Sequence, residues 1–102
     1  MTARIPNHVR REVYRRDGWR CALCDCSRYL QIHHVIPRGK GGSNAPQNLI
    51  TLCDRCHAAA HGYDLDDTGI TAEDMEQLCL EYIQDYYVDG WYPYAWRTPY
   101  IP

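Results

Sequence analysis

Cys21-Ala22-Leu23-Cys24 and Cys53-Asp54-Arg55-Cys56 bracket residues 25–52, and their reading decides how this chain folds. The first twenty residues hold no apolar core of the kind a secretory signal carries, so the chain is expected to be intracellular with its thiols reduced. Two Cys-x-x-Cys knuckles in a reducing compartment read as a four-thiolate structural zinc site, with Cys21, Cys24, Cys53 and Cys56 as ligands. The spacer is longer than a simple zinc ribbon needs, so a folded unit must sit between the knuckles. Cys26 puts a third thiol beside the first knuckle and can compete with Cys24. Cys79 falls on an apolar helix face and reads as core.

Between the knuckles, residues 30–36 are rich in apolar and β-branched side chains and stop at Pro37, which predicts a strand. Residues 38–44 form a Gly-rich basic loop, able either to pass close to phosphates or simply to close a hairpin. Residues 49–52 predict the return strand. Asp54 is placed to cap a helix running to His61, with Gly62 as its stop.

Upstream, a helix is expected over 7–16, with Asn7 as its cap and Gly18 ending it. Val9 and Val13 share one face and Arg11 and Arg15 another, flanked by Arg10 and Arg16; this is either a solvated basic face or a phosphate-contacting one. Downstream of an acidic linker, Thr71 and Asp74 form a capping-box pattern. Met75, Leu78, Cys79, Tyr82, Ile83 and Tyr86 then recur at helical spacing over 72–87, with Gly90 as the stop. Residues 91–102 hold two Trp, three Tyr and three Pro, too aromatic for an inert tail.

The 102 residues are 45% hydrophobic and 24% charged, which excludes disorder, and no apolar run approaches the roughly 20 residues of a membrane span. The net charge of −2 argues against a nucleic-acid partner only until the chain is split. Residues 1–62 carry ten Lys and Arg against four acids, a balance of +6; residues 63–102 carry one Arg against nine acids, a balance of −8. The expected organisation is a basic domain over 1–62 followed by an acidic helix and aromatic segment over 63–102.

Four of the five histidines fall on the strand–loop–strand–helix unit: His33, His34, His57 and His61. Consecutive strand residues point to opposite faces, so His33 and His34 should not do the same job. His57 and His61, four apart, share a helix face. Two imidazoles from a helix and one from a facing strand make a three-nitrogen metal site with open positions for water and substrate. The remaining strand histidine is free for proton transfer.

Ile32-His33-His34-Val35-Ile36-Pro37, Gly41-Gly42-Ser43-Asn44, Asn48-Leu49-Ile50 and Cys53-Asp54-Arg55-Cys56-His57 together resemble the HNH endonuclease family over residues 10–62. The resemblance implies an α+β chain: a small ββα-metal domain with a structural zinc, preceded by the basic helix and followed by the acidic one. It implies His34 as general base and Asn48 as the residue that braces the hairpin loop and helps orient that base. His57 corresponds to the final His, a metal ligand, and His33 sits where the family has an Asp or His ligand. His61 sits where nuclease colicins have a third ligand and other branches have none. The implied reaction is hydrolysis of a DNA phosphodiester with one catalytic divalent metal (Mg, Mn, Ni or Zn), leaving a 5′ phosphate and a 3′ hydroxyl. Arg11, Arg15, Arg16, Arg38, Lys40 and Arg55 would hold the phosphate backbone of double-stranded DNA, with little sequence preference.

A competing reading is a zinc-stabilised DNA-binding or scaffolding component of a larger phage-packaging or restriction assembly. An intact His33, His34, Asn48 and His57 set argues against it, since a binding module needs none of them. The acidic helix either completes the core, docks on a protein partner, or folds over the basic surface and competes with DNA; in the last case removing residues 64–102 would raise DNA affinity.

Overall fold

The computed structural model describes residues 4–87, so Gly90 and the aromatic stretch 91–102 lie outside the described residues. Five elements carry the fold: α1 (Asn7–Arg16), β1 (Gln31–His34), β2 (Leu49–Leu52), α2 (Asp54–Ala60) and α3 (Ala72–Tyr86). Short 3-10 turns at Arg38–Lys40 and Pro46–Asn48 lie in the connection between the strands. Among the described residues no helix is long and apolar enough to cross a membrane.

The strands pair antiparallel in a register that sets Gln31 opposite Leu52, His33 opposite Ile50 and His34 opposite Leu49. β1 is shorter than the run of apolar residues predicts. Beyond His34 the pairing passes to Asn48: Val35 donates its N–H to the Asn48 carbonyl at 2.9 Å, Ile36 donates its N–H to Asn48 Oδ1 at 2.8 Å, and the Ile36 carbonyl accepts from Asn48 Nδ2 at 3.0 Å. The connection also needs glycine. A Cβ on Gly42 would lie 1.8 Å from the Ile36 carbonyl oxygen, and Gly41 turns the chain at φ +92°.

Two helix starts differ from expectation. Pro6, in an extended conformation, precedes α1 and makes no side-chain cap, so Asn7 is the first helical residue. Cys53 holds the same place at α2, and Asp54 sits in the first turn, where a carboxylate is favoured by the helix dipole. The capping box on α3 is present in full: Asp74 donates its N–H to Thr71 Oγ1 at 3.1 Å and Thr71 donates to Asp74 Oδ2 at 3.0 Å.

The core has two lobes. Val9 and Val13 of α1 pack on Leu49. On the other side Cys21, Val35, Ile50, Leu52 and Cys53 pack with Cys79 and Ile83 of α3. The helix after residue 63 therefore shares the core of the segment before it. A buried ion pair joins the lobes. Arg16 grips Asp17 through Nε and Nη2 at 2.7 and 2.9 Å and reaches the carbonyls of Pro46 and Leu49 at 2.8 and 2.6 Å. Asp17 accepts the N–H of Thr51 at 2.9 Å and the hydroxyl of Tyr82 at 2.8 Å. Every charged group of the pair is thus hydrogen-bonded, as burial requires.

Candidate active site

The β1–β2 ladder and α2 bring His33, His57 and His61 together: their ring centroids lie 4.7 to 5.3 Å apart, and their ligand nitrogens all lie within 4.8 Å of one another. α2 ends at Ala60, so His61 is its C-cap residue, but the one-turn spacing from His57 survives and the two Nε2 atoms stand 3.1 Å apart. Burial, followed by the charges of His57, His61 and His34, pushes His33 down to about 4. His57 is lowered by burial and then by His61. Both shifts favour the neutral rings of His33 and His57, the state in which imidazole ligates a metal.

His34 stands outside this trio. Its Nε2 meets Oδ1 of Asn44 at 2.8 Å. His34 and His33 line a cavity of about 220 Å³ together with Ile32, Arg38, His57 and His61. A second opening of about 240 Å³ is bounded by His33, His34, His61 and Lys40 and, across from them on α3, by Glu73 and Glu76. Asn48 is wholly buried. Its side chain bonds Ile36 and also donates to the carbonyl of Ser43 at 2.9 Å, which clamps the loop on both sides.

The four knuckle cysteines form a second cluster, with their sulfurs within 4.8 Å of one another. Cys21 and Cys53 are buried and Cys24 and Cys56 more open. Burial raises the Cys24 thiol to about 11 and, with the charge of Cys21, pushes Cys56 higher still, while the Cys21 thiol is lowered, as amides of Cys53, Cys24 and Leu23 outweigh its burial. Four thiolates at this distance need a cation among them, and four sulfurs are the donor set of a structural zinc. Cys26 is not among them; its sulfur faces the Arg28 carbonyl at 3.9 Å. Cys79 is wholly buried in the core.

The basic residues divide. Arg38 and Lys40 border the histidine cavities, and Arg11 and Arg15 are exposed on α1. Arg55 is exposed and pairs with Asp66. Arg16 corrects the expectation drawn from its charge. Its side chain is 4% exposed and its guanidinium is committed to Asp17 and two carbonyls, so it belongs to the core and not to a phosphate-facing surface. Asn44, Glu73 and Glu76 carry no role in the sequence reading, yet all three reach the histidines or the cavity they line. The Gly-rich loop holding an amide oxygen was the one signal available for Asn44.

A two-stranded antiparallel sheet crossed by a short helix, with ligands from both converging on one point, defines the ββα-metal class of domain. Residues 21–62 match the family model for HNH endonuclease. The chain belongs to the HNH endonuclease family. It is 44% identical over 39 residues to the type IV methyl-directed restriction enzyme EcoKMcrA of Escherichia coli (strain K12), a match covering 38% of this chain and 14% of that enzyme. It is 33% identical over 69 residues to anaredoxin of Nostoc sp. (strain PCC 7120), covering 64% of this chain and 91% of that protein. Among solved structures, the type IV phosphorothioation-dependent restriction endonuclease ScoMcrA superposes with a TM-score of 0.60 at 25% identity, over 78% of this chain and 16% of that one. The chain thus spans nearly all of anaredoxin but a small fraction of either restriction enzyme.

Proposed function

We propose that this chain is a metal-dependent DNA endonuclease in which His34 is the general base and His33, His57 and His61 hold one catalytic divalent metal. The observation that carries the reading is the convergence of three imidazoles beside a fourth that stays outside the trio. Structural domains close their metal sites with four protein ligands, whereas a three-ligand set leaves positions open. The donor set fits a divalent transition metal. When bound there, such a metal supplies positive charge for the scissile phosphate and the leaving oxygen. DNA as substrate is supported by the restriction function in the names of two similar proteins and by Arg38 and Lys40 at the cavity rims.

The chain's own residues divide the remaining work. Arg38 and Lys40, with Arg11 and Arg15 further out, hold the backbone phosphates. His34 accepts a proton from the water that attacks phosphorus. Asn48 touches no reacting atom and acts by bracing the loop. The cysteine cluster, as a zinc site, holds the ends of the unit. The domain proper then runs over 1–62, with α3 packed against it.

Supercoiled plasmid incubated with Mg, Mn, Ni or Zn, against a chelator control, tests this. We expect metal-dependent nicking or linearisation that His34→Ala reduces by about a hundredfold or more, as loss of a general base does. Cleavage that survives His34→Ala removes His34 from the role; no cleavage with any metal leaves the DNA-binding module as the function.

A further inference from the structure

Whether His34 can act as a base depends on which of its two ring nitrogens carries the proton. In a neutral imidazole one nitrogen donates and the other holds the lone pair, and the hydrogen bond made by one fixes the state of the other. Nε2 of His34 lies 2.8 Å from Oδ1 of Asn44. A carboxamide oxygen only accepts, so this contact puts the proton on Nε2 and the lone pair on Nδ1.

We propose that Asn44 is the positioning residue of this site: it fixes the Nε2–H tautomer and the ring orientation of His34, and thereby makes Nδ1 the proton acceptor. The proposal rests on the reading of His34 as general base. Asn44 is itself held rigidly. The carbonyl of Ser43, on one side of it, accepts from the buried amide of Asn48 at 2.9 Å. The N–H of Ala45, on the other side, donates to Ser43 Oγ at 3.2 Å. The bonds of Asn48 end on the backbone of Ile36 and Ser43. What reaches the imidazole is Asn44, so the bracing of the loop by Asn48 is transmitted to the base through its neighbour.

The same contact favours the transition state over the ground state. When water gives its proton to Nδ1, His34 becomes cationic and the Nε2–H bond to Asn44 becomes charge-assisted, which strengthens it. The acceptor on the loop does not have to move for this. Loss of such a supporting bond costs about 10- to 100-fold in comparable sites.

The test combines a tautomer measurement with kinetics on the full chain. Protein labelled with 15N-histidine is examined at a pH where the His34 ring is neutral, its signals assigned by their loss in His34→Gln. In the unsubstituted protein we expect Nε2–H; in Asn44→Ala a mixture of tautomers, with kcat down about 10- to 100-fold and DNA affinity, measured in chelator, unchanged. Asn44→Asp keeps an acceptor oxygen and should retain the tautomer and most of kcat. An Nδ1–H tautomer in the unsubstituted protein overturns the proposal, and this reading holds even if Asn44→Ala fails to fold. Full kcat in Asn44→Ala alongside an inactive His34→Gln also overturns it. An active His34→Gln would instead overturn the assignment of the base, while the tautomer still reports on Asn44.

Discussion

Two ligand clusters built on one short helix behave in opposite ways. Cys56 and His57 are consecutive on α2, about 100° apart around its axis. One turns to the other three thiols beside Ile50, Leu52 and Ile83; the other turns to two further imidazoles at the edge of a cavity. Both clusters resist charging. The thiols resist becoming anions together, with Cys24 raised to about 11, and the imidazoles resist becoming cations together, with His33 lowered to about 4. A cation relieves the first resistance, and the second keeps the imidazole lone pairs available for one. The difference is closure: four donors leave nothing for substrate, three leave room. The dependence between the clusters is accordingly one-way. The thiol cluster fixes the start of α2 and hence the aim of His57, whereas nothing in the thiol cluster leans on the histidines.

The sharpest way to break that asymmetry is a pair of substitutions. Cys53→Ser removes a buried ligand at the N-cap of α2. Zinc binding in small thiolate sites is worth about 10–16 kcal/mol, as much as the whole net stability of a domain this size. We expect loss of zinc, of the cooperative melt and of all downstream activity. His57→Ala should leave zinc content and melting temperature nearly unchanged while abolishing metal-dependent cleavage. A folded, zinc-free Cys53→Ser, or an unfolded His57→Ala, would reverse the roles assigned to the clusters.

What made the clusters legible in the sequence is that metal ligands must be close, and closeness in a small fold leaves short spacings: Cys-x-x-Cys twice, His33 beside His34, His57 one helical turn from His61. Thr71 and Asp74 were legible for the same reason, because a capping box is local. Arg16 was not. An arginine in a basic run reads as surface, and the groups that bury it, on Pro46, Leu49, Tyr82 and Tyr87, come from residues 30 to 71 positions away. The end of β1 was missed because the backbone just past it, at Ile36, is held by the side chain of Asn48, twelve residues further on. Glu73 and Glu76 fall off the apolar stripe of the helix over 72–87 and carry no local signal; only the packing of α3 beside α2 brings them to the histidine cavity.

The histidine cluster also makes a pH prediction on the acid side. His33 is held neutral in the folded chain at about 4, while an unfolded histidine titrates near about 6.5. Above the unfolded value both states are neutral and nothing is lost. As pH falls from about 6.5 toward about 4 the unfolded state binds the proton first, so stability drops, by at most about 3 kcal/mol. Without added catalytic metal, the melting temperature of the unsubstituted protein should fall across that window more steeply than that of His33→Gln. Parallel curves would mean that burying His33 among the other rings costs the fold nothing.

The smallest effect belongs to the open side of the histidine cluster. Glu73 and Glu76 face His33, His34, His61 and Lys40 across one opening, whereas Arg38 borders the other. At the first mouth the two carboxylates oppose the pull of Lys40 on a phosphate chain, while at the second Arg38 attracts it unopposed by α3, so the charge of α3 would bias how DNA lies across the site. Deleting 64–102 would test this badly, because Cys79 and Ile83 would leave the core with it. Substituting the carboxylates keeps the helix. At about 10 Å in water a charge pair is worth about 0.4 kcal/mol, and screening trims this beyond about 8 Å at physiological salt. Glu73→Gln with Glu76→Gln should therefore tighten DNA binding by only about 3- to 5-fold at low salt, fading as salt rises. Net charge alone would do something similar, so the control is Glu81→Gln with Asp85→Asn, the same charge removed from exposed positions on the same helix that do not line the cavity. A clear excess of the first pair over the second places the effect at the cavity mouth; equal effects reduce α3 to a core helix whose charge is felt only as a sum.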